Sequence, residues 1–336
     1  VEQRSHKRFS TFARVPPQHH SGMTQTSSGM VSPAPSSFFS ASAQGIALVA
    51  IAGVLWGTSG TAQYLGAAGL SPFWVGAAQL AVAAAFLGLS LLWARRGSTG
   101  SLVLRPRQAG LRLSSFFWAS LGIGGYSVFF YAGLQMAGVG VGTAVAIGSS
   151  PIWAGLLQAL VLRAPLSPLW WLGTLVSVAG GVAMVMGEGG SSQVSWPGLA
   201  LCLLAGLSYA GYALVNKRLV SHMSPKVVNF YVFSGAALLA LPVAALYAGV
   251  PQWSLSAVLV VVYLGAVVSG IAHLLFSMGL RHISGPTGVA LSLIEPVAAF
   301  VLAVWIVGEH QPWVAWVGLA AVLLGLWVVV KAEMRG

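Results

Sequence analysis

Two stretches of this chain, Leu113–Leu162 and Val227–Leu280, run without a single Lys, Arg, Asp or Glu. Each is long enough for two membrane crossings of about 20 residues. Turn residues mark the reversals, Gly138–Val139–Gly140 in the first and Val250–Pro251 in the second. The rest of the chain repeats the pattern: 57% of residues are hydrophobic and 6% charged, too few charges to cover a soluble globule of 336 residues. The runs lack the ten-residue alternation of membrane-barrel strands, and a bilayer leaves helices as the remaining way to satisfy the backbone. The fold class is therefore an all-α membrane protein. Spans are predicted at 44–66, 72–94, 114–135, 138–162, 168–187, 196–216, 225–247, 253–278, 284–307 and 312–331, ten in all.

Charge tests that count independently. With ten spans, all 16 Lys and Arg fall on one side, from Arg4 in the N-terminal tail to Arg335 at the end, while the other side receives Glu188, Glu309 and no basic residue. The positive-inside rule then puts both termini in the cytoplasm of a multi-pass plasma-membrane protein. Nine or eleven spans would break the segregation. The net charge of +11 is thus a topology signal, and no nucleic-acid partner is expected.

Residues 1–43 differ in kind, with ten Ser, four Lys or Arg and one acid. That composition predicts a disordered basic tail. Met23 and Met30 are alternative starts of a shorter chain, and no secretory signal is expected ahead of the first span. The single cysteine, Cys202, excludes an intrachain disulfide.

The chain repeats itself. Laid without a gap on 198–246, residues 45–93 match Gly45, Ala47, Leu48, Ala52 and Gly53 to Gly198, Ala200, Leu201, Ala205 and Gly206, and Ser71–Pro72 to Ser224–Pro225. Residues 142–187 lie on 287–332 and pair Pro151 with Pro296, Ala154 with Ala299, Trp171 with Trp316, Gly173 with Gly318 and Gly180 with Gly325. The expected units are 44–187 and 196–332. Five spans per unit is an odd number, so the second unit enters the membrane in the opposite sense, giving two inverted five-helix repeats.

Ten spans, two five-span repeats, Trp56–Gly57 in span one, Glu295–Pro296 in span nine and Gly308–Glu309 just after it resemble the drug/metabolite transporter superfamily, EamA type, over essentially all of 44–332. The departures lie in the first repeat: Ser150 stands where the acid before proline is common, Arg163–Ala164 replaces Gly-Glu, and Gln79 sits where span two often has Arg. The resemblance implies export or exchange of small metabolites through a central cavity formed by both repeats.

The residues point to such a cavity without the family. Trp56, Ser59 and Gln63 align with Tyr209, Tyr212 and Asn216, each set on a single helical face. Both faces are expected to look inward, where they would hydrogen-bond an amide, hydroxyl or zwitterionic ligand, with Gln63 and Asn216 equally suited to bridging helices. Tyr126, Tyr131 and Gln135 join from span three, and Thr143, Ser149 and Ser150 from span four. The serines beside Pro151 serve either the cavity or the carbonyl that the proline frees. His273 stands in span eight with no second histidine or acid nearby in sequence to form a metal site, and Ser292 precedes Glu295 by one turn.

Glu295 is the sharpest feature. An acid at the centre of a span costs about 2.5–3.5 kcal/mol on insertion scales. Pro296 also deprives the Ser292 carbonyl of its usual donor. Either Glu295 faces the cavity and exchanges a proton as the repeats rock, or it stays protonated and helps satisfy that carbonyl. No catalytic constellation, metal-ligand spacing or cofactor motif is present, and the glycines of "GIGGY" and "GVGVGTAVAIG" lack the strand and Lys-Ser/Thr of a phosphate loop. The expected function is secondary transport of small organic metabolites, amino-acid-like compounds favoured, with the lipid bilayer as solvent. An intramembrane enzyme and a non-transporting receptor or scaffold are the alternatives.

Overall fold

The computed structural model describes residues 40–66, 69–97, 106–186 and 195–335. The rest of the N-terminal tail, with Met23 and Met30, and Glu188 lie outside them. Ten helices are long and apolar enough to cross a membrane: α1 (Ala41–Gly66), α2 (Pro72–Ala94), α3 (Leu113–Ala137), α4 (Gly140–Val161), α5 (Pro168–Val185), α6 (Trp196–Val220), α7 (Pro225–Ala248), α8 (Leu255–Gly279), α9 (Gly285–Val307) and α10 (Trp313–Arg335). Their ends fall within four residues of the predicted ones. Local chemistry sets the starts: Pro225 opens α7, and the side chains of Ser195, Ser254 and Ser284 accept backbone N–H groups of the first turns of α6, α8 and α9. Gly138 turns the chain between α3 and α4 at φ 84°, a conformation that favours glycine.

The helices pack as two inverted repeats. Exchanging α1–α5 for α6–α10 turns each major helix contact into another that is also made: α3 against α6 becomes α8 against α1, α4 against α6 becomes α9 against α1, and α3 against α7 becomes α8 against α2. The pairs α2–α7 and α5–α10 map onto themselves. Glycines show the same relation at atomic level. A Cβ added to Gly173 would stand 2.7 Å from the carbonyl oxygen of Gly325, and one added to Gly180 would stand 2.6 Å from that of Gly318. The first glycine of each helix meets the second of its counterpart, which is how a self-complementary two-fold contact behaves. Likewise Gly53 faces Ile294 and the Leu291 carbonyl, while its counterpart Gly206 faces Ser149 and the Ala146 carbonyl.

Departures from α geometry are repeated too. After its proline, each of α4 and α9 relaxes into a π segment, Leu157–Val161 and Ala303–Val307. Each then stops on a left-handed residue, Arg163 at φ 54° and Gly308 at φ 79°. The Ala164 and Glu309 N–H groups close the two ends on Gln158 and Ala303, both at 3.1 Å. The replacement of Gly-Glu by Arg163–Ala164 therefore keeps the turn and changes only its side chains. A third π segment, Leu264–Ile271, lies within α8.

The helix directions bring the ends bearing Arg96, Arg112, Arg163, Lys217, Arg218, Lys226, Arg281 and Lys331 to one face and put Glu309 at the other. Trp196, Trp305 and Trp313 stand exposed at helix ends of the acidic face, where amphipathic rings meet the headgroup layer.

Candidate functional site

A cavity of about 720 Å³ lies between the repeats, a volume suited to a small organic ligand. It runs from mid-span to the Glu309 face, where Gln135, Gly140, Glu309 and Gln311 form the rim. Trp56, Ser59, Tyr126, Ser150, Tyr209, His273, Ser292 and Glu295 all line it. Tyr212 does not: it is fully buried behind the wall, where its hydroxyl accepts from Asn216 Nδ2 at 3.4 Å.

The wall is a chain of rings from four helices. Tyr126 of α3 packs on Tyr209 of α6 with centroids 5.4 Å apart, and Tyr209 meets Trp56 of α1 edge-on at 6.3 Å. Trp56 lies 4.9 Å from the His273 ring of α8. The indole is fixed by the π segment. The Ala272 N–H, which α geometry would give to Val268, reaches Val267 instead, and Trp56 Nε1 donates to the Val268 carbonyl at 3.1 Å. His273 Nδ1 sits 3.3 Å from both that indole nitrogen and the same carbonyl.

Glu295 enters opposite Gly57, where a Cβ would come within 2.7 Å of the Glu295 carbonyl oxygen. The glycine after Trp56 is thus what lets α9 approach α1. Two expectations about the prolines are corrected. The Ser292 carbonyl freed by Pro296 is taken by the Glu295 backbone N–H at 2.9 Å, because the helix tightens locally, so the carboxyl is not needed there. Around Pro151, the hydroxyls of Ser149 and Ser150 bond the Ala146 carbonyl at 3.3 and 2.8 Å, one residue before the carbonyl that the proline frees. No side-chain hydrogen bond or ion pair engages the Glu295 carboxyl among the described residues.

Opposite the rim, the cavity is sealed by buried polar contacts. Asn216 Nδ2 donates to Ser277 at 2.8 Å, Ser277 donates to Asn229 at 2.9 Å, and Asn229 Nδ2 donates to the His273 carbonyl at 3.1 Å, tying α6, α8 and α7. Nearer the basic face, Glu333 of α10 accepts the Ser284 N–H at 2.6 Å and its hydroxyl at 2.7 Å, capping α9. Thr287 also donates to Glu333 and accepts Trp170 Nε1 at 3.1 Å. Sequence reasoning missed Asn229, Ser277 and Glu333, since nothing in their local spacing says that they meet. It also passed over Ser127 and Ser269, and it named Gln79 only as a departure; all three line the cavity. No cluster of three or more His, Cys, Asp or Glu suited to a metal forms among the described residues.

Ten spanning helices in two inverted repeats around one cavity define the class, that of the drug/metabolite transporters. The chain belongs to the EamA-like transporter family, whose pattern matches residues 43–186 and again 196–331. It is 30% identical over 294 residues to the "Uncharacterized transporter YwfM" of Bacillus subtilis, covering 85% of this chain and 94% of that one. It is 25% identical over 236 residues to a "Probable terminal-alkyne amino-acid exporter" of Streptantibioticus cattleyicolor, covering 69% and 77%. A solved crystal structure shares the fold at a TM-score of 0.72 and 23% identity, over 86% of this chain and 98% of that one.

Proposed function

We propose that the protein exports small organic metabolites, amino-acid-like compounds favoured, by alternating access through this cavity. One observation carries the reading: positions equivalent in the two repeats have opposite environments. Ser59 and Gln63, one and two turns beyond Trp56, line the open space. Their counterparts Tyr212 and Asn216, one and two turns beyond Tyr209, are fully buried. Two equivalent repeats that hold an asymmetric shape can exchange shapes, and the exchange would close the rim over Ser59 and open the seal at Tyr212. Tyr212 then faces substrate only in the opposite state, while Trp56 and Tyr209 touch it in both.

The units 44–187 and 196–332 are the rocking bodies in this scheme. By the positive-inside rule the sealed face is cytoplasmic, as are both termini, and the conformation is outward-facing in the plasma membrane. The relative named as an amino-acid exporter supports the substrate preference. With no ATP-binding motif, energy comes from a gradient, and Glu295 is the candidate for proton coupling. Purified protein in liposomes preloaded with candidate metabolites should drive counterflow of the labelled compound. Product formation without flux would instead assign an enzyme. In a Cys202→Ala background, a cysteine at Gly69 should react with an impermeant reagent added to intact cells, and one at His222 should not.

A further inference from the structure

We infer that the cavity selects its cargo by a protonated amine, held against the Trp56–Tyr209–Tyr126 wall beside Glu295, and that it rejects compounds whose only charge is a carboxylate. This rests on the transport reading and adds the chemical group that is recognised.

The first ground is the sign of the charges. The chain carries 16 Lys and Arg against 5 Asp and Glu, yet among the described residues its cavity is lined by Glu295 and Glu309 and by no Lys or Arg. Among the described residues His273 is the one imidazole on the wall, and its Nδ1 already lies against Trp56 and Val268. A carboxylate entering mid-cavity would meet Glu295 with no cation to offset either group, and an unpaired charge in a low-dielectric site is costly.

The second ground is a pair of polar groups left without partners. The Glu295 carboxyl, in a half-buried residue open to the cavity, has no side-chain partner among the described residues. The Tyr209 hydroxyl is buried, in a residue only 7% exposed, and makes no hydrogen bond of good geometry among the described residues, the Ser292 hydroxyl beside it being directed to the Val289 carbonyl at 2.6 Å. Buried polar groups of folded proteins are normally satisfied. Tyr209 and Glu295 line the same cavity from the two different helices α6 and α9, and Ser292 adds a further hydroxyl beside them. An ammonium brings three donors and no acceptor, which matches a carboxylate and hydroxyl oxygens.

The third ground is the rings. Trp56, Tyr209 and Tyr126 form a chain of rings that lines the cavity; the Trp56 indole is anchored through its N–H and packed by His273 and Phe276, which leaves Tyr126 the most open of the three. Aromatic faces attract cations, tryptophan most strongly. The remainder of the ligand then lies along Ile123, Phe130, Ile147 and Phe300, which suits an apolar or aromatic body.

Three probes that share a phenyl ring separate the possibilities: phenethylamine, phenylalanine and 3-phenylpropionate. Equilibrium binding to the purified full-length protein should rank them in that order, with the amine at least about tenfold tighter than the acid. Glu295→Gln should weaken the amine by about tenfold, and Glu295→Asp, which keeps the charge, should retain more of the affinity. Thermal melting of each variant shows whether it is folded, and the Asp variant carries the test if the Gln variant is not. Equal binding of amine and acid, amine binding indifferent to both substitutions, or no binding of the amine would overturn the inference. Counterflow of any other metabolite would in each case leave the transport reading standing, whereas amine binding without flux of any compound would remove that reading and keep this one.

Discussion

Trp56 Nε1 lies 3.1 Å from the carbonyl oxygen of Val268, which joins the first repeat to the π segment of the second. The bond gives Trp56 two tasks, wall and staple. Trp56→Phe keeps an aromatic face but removes the indole donor and leaves His273 Nδ1 as the side chain beside that carbonyl, so it should lower stability by about 1 kcal/mol. Thermal melting in detergent measures this. Trp56→Ala should lose both folded yield and flux, and an unchanged melting temperature in Trp56→Phe would leave the tryptophan with its cavity role alone.

Tyr209 is the contrasting case, since its buried hydroxyl has no partner in good hydrogen-bonding geometry among the described residues. Tyr209→Phe removes an unsatisfied group and should leave stability unchanged or raise it by up to about 1 kcal/mol. The same variant should bind and transport substrate more weakly. Melting and counterflow on one preparation check both, and a large loss of stability would mean that the hydroxyl is satisfied within the protein.

Glu295→Gln keeps shape and hydrogen bonding while removing the titrating group. Under proton coupling, the variant should retain pH-independent exchange, at substrate concentrations raised about tenfold to offset its weaker binding, and lose accumulation driven by a proton gradient. Among the described residues, His273, Tyr126, Tyr131 and Tyr209 are the other titratable side chains on the cavity wall, with Tyr64 and Glu309 toward its open end. His273→Gln should therefore leave gradient-driven transport intact wherever Glu295→Gln abolishes it. Unchanged accumulation in the Glu295 variant would leave the carboxyl without a coupling role.

The crossing of α5 and α10 has no room for side chains at its glycines. A Cβ at Gly180 would meet the Gly318 carbonyl oxygen and the Val322 nitrogen, both at 2.6 Å. Backbone cannot yield as a side-chain tip can, so Gly180→Val should cost about 1–3 kcal/mol or more and reduce folded yield. Gly181, next in sequence, has nothing within 4 Å of its Cβ position. Gly181→Ala should therefore be tolerated, and size-exclusion profiles of the two variants make the comparison.

Arg163 holds a left-handed conformation where the second repeat has Gly308. A side chain pays about 1–2 kcal/mol there, so Arg163→Gly should stabilise by about 1 kcal/mol. Its charge lies on the basic face, and the other basic residues near that face's helix ends, among them Arg96, Lys217 and Arg335, keep the topology signal. A melting temperature that falls would show that the arginine side chain makes a compensating contact.

Span number, span ends and inversion were legible in the sequence because each depends on local quantities: the length of an apolar run, the side on which Lys and Arg fall, and the order of Gly and Pro in two aligned halves. Trp56, Tyr209 and Glu295 could be named for the same reason, since aromatic and acidic side chains at mid-span have few other places to go. Tertiary structure alone decided the rest. Ser59 and Tyr212 hold equivalent positions, yet one lines the cavity and the other is sealed, because the repeats adopt one asymmetric arrangement that no local spacing encodes. Asn216, Ser277 and Asn229 meet only because three helices cross at that depth, and Glu333 caps α9 only because α10 returns beside it. The Val268 carbonyl finds Trp56 through a π segment whose five-residue reach leaves no mark in a hydropathy pattern. Membrane solvation fixes which segments are helices, and the packing of polar groups that lipid cannot satisfy fixes which faces turn toward one another.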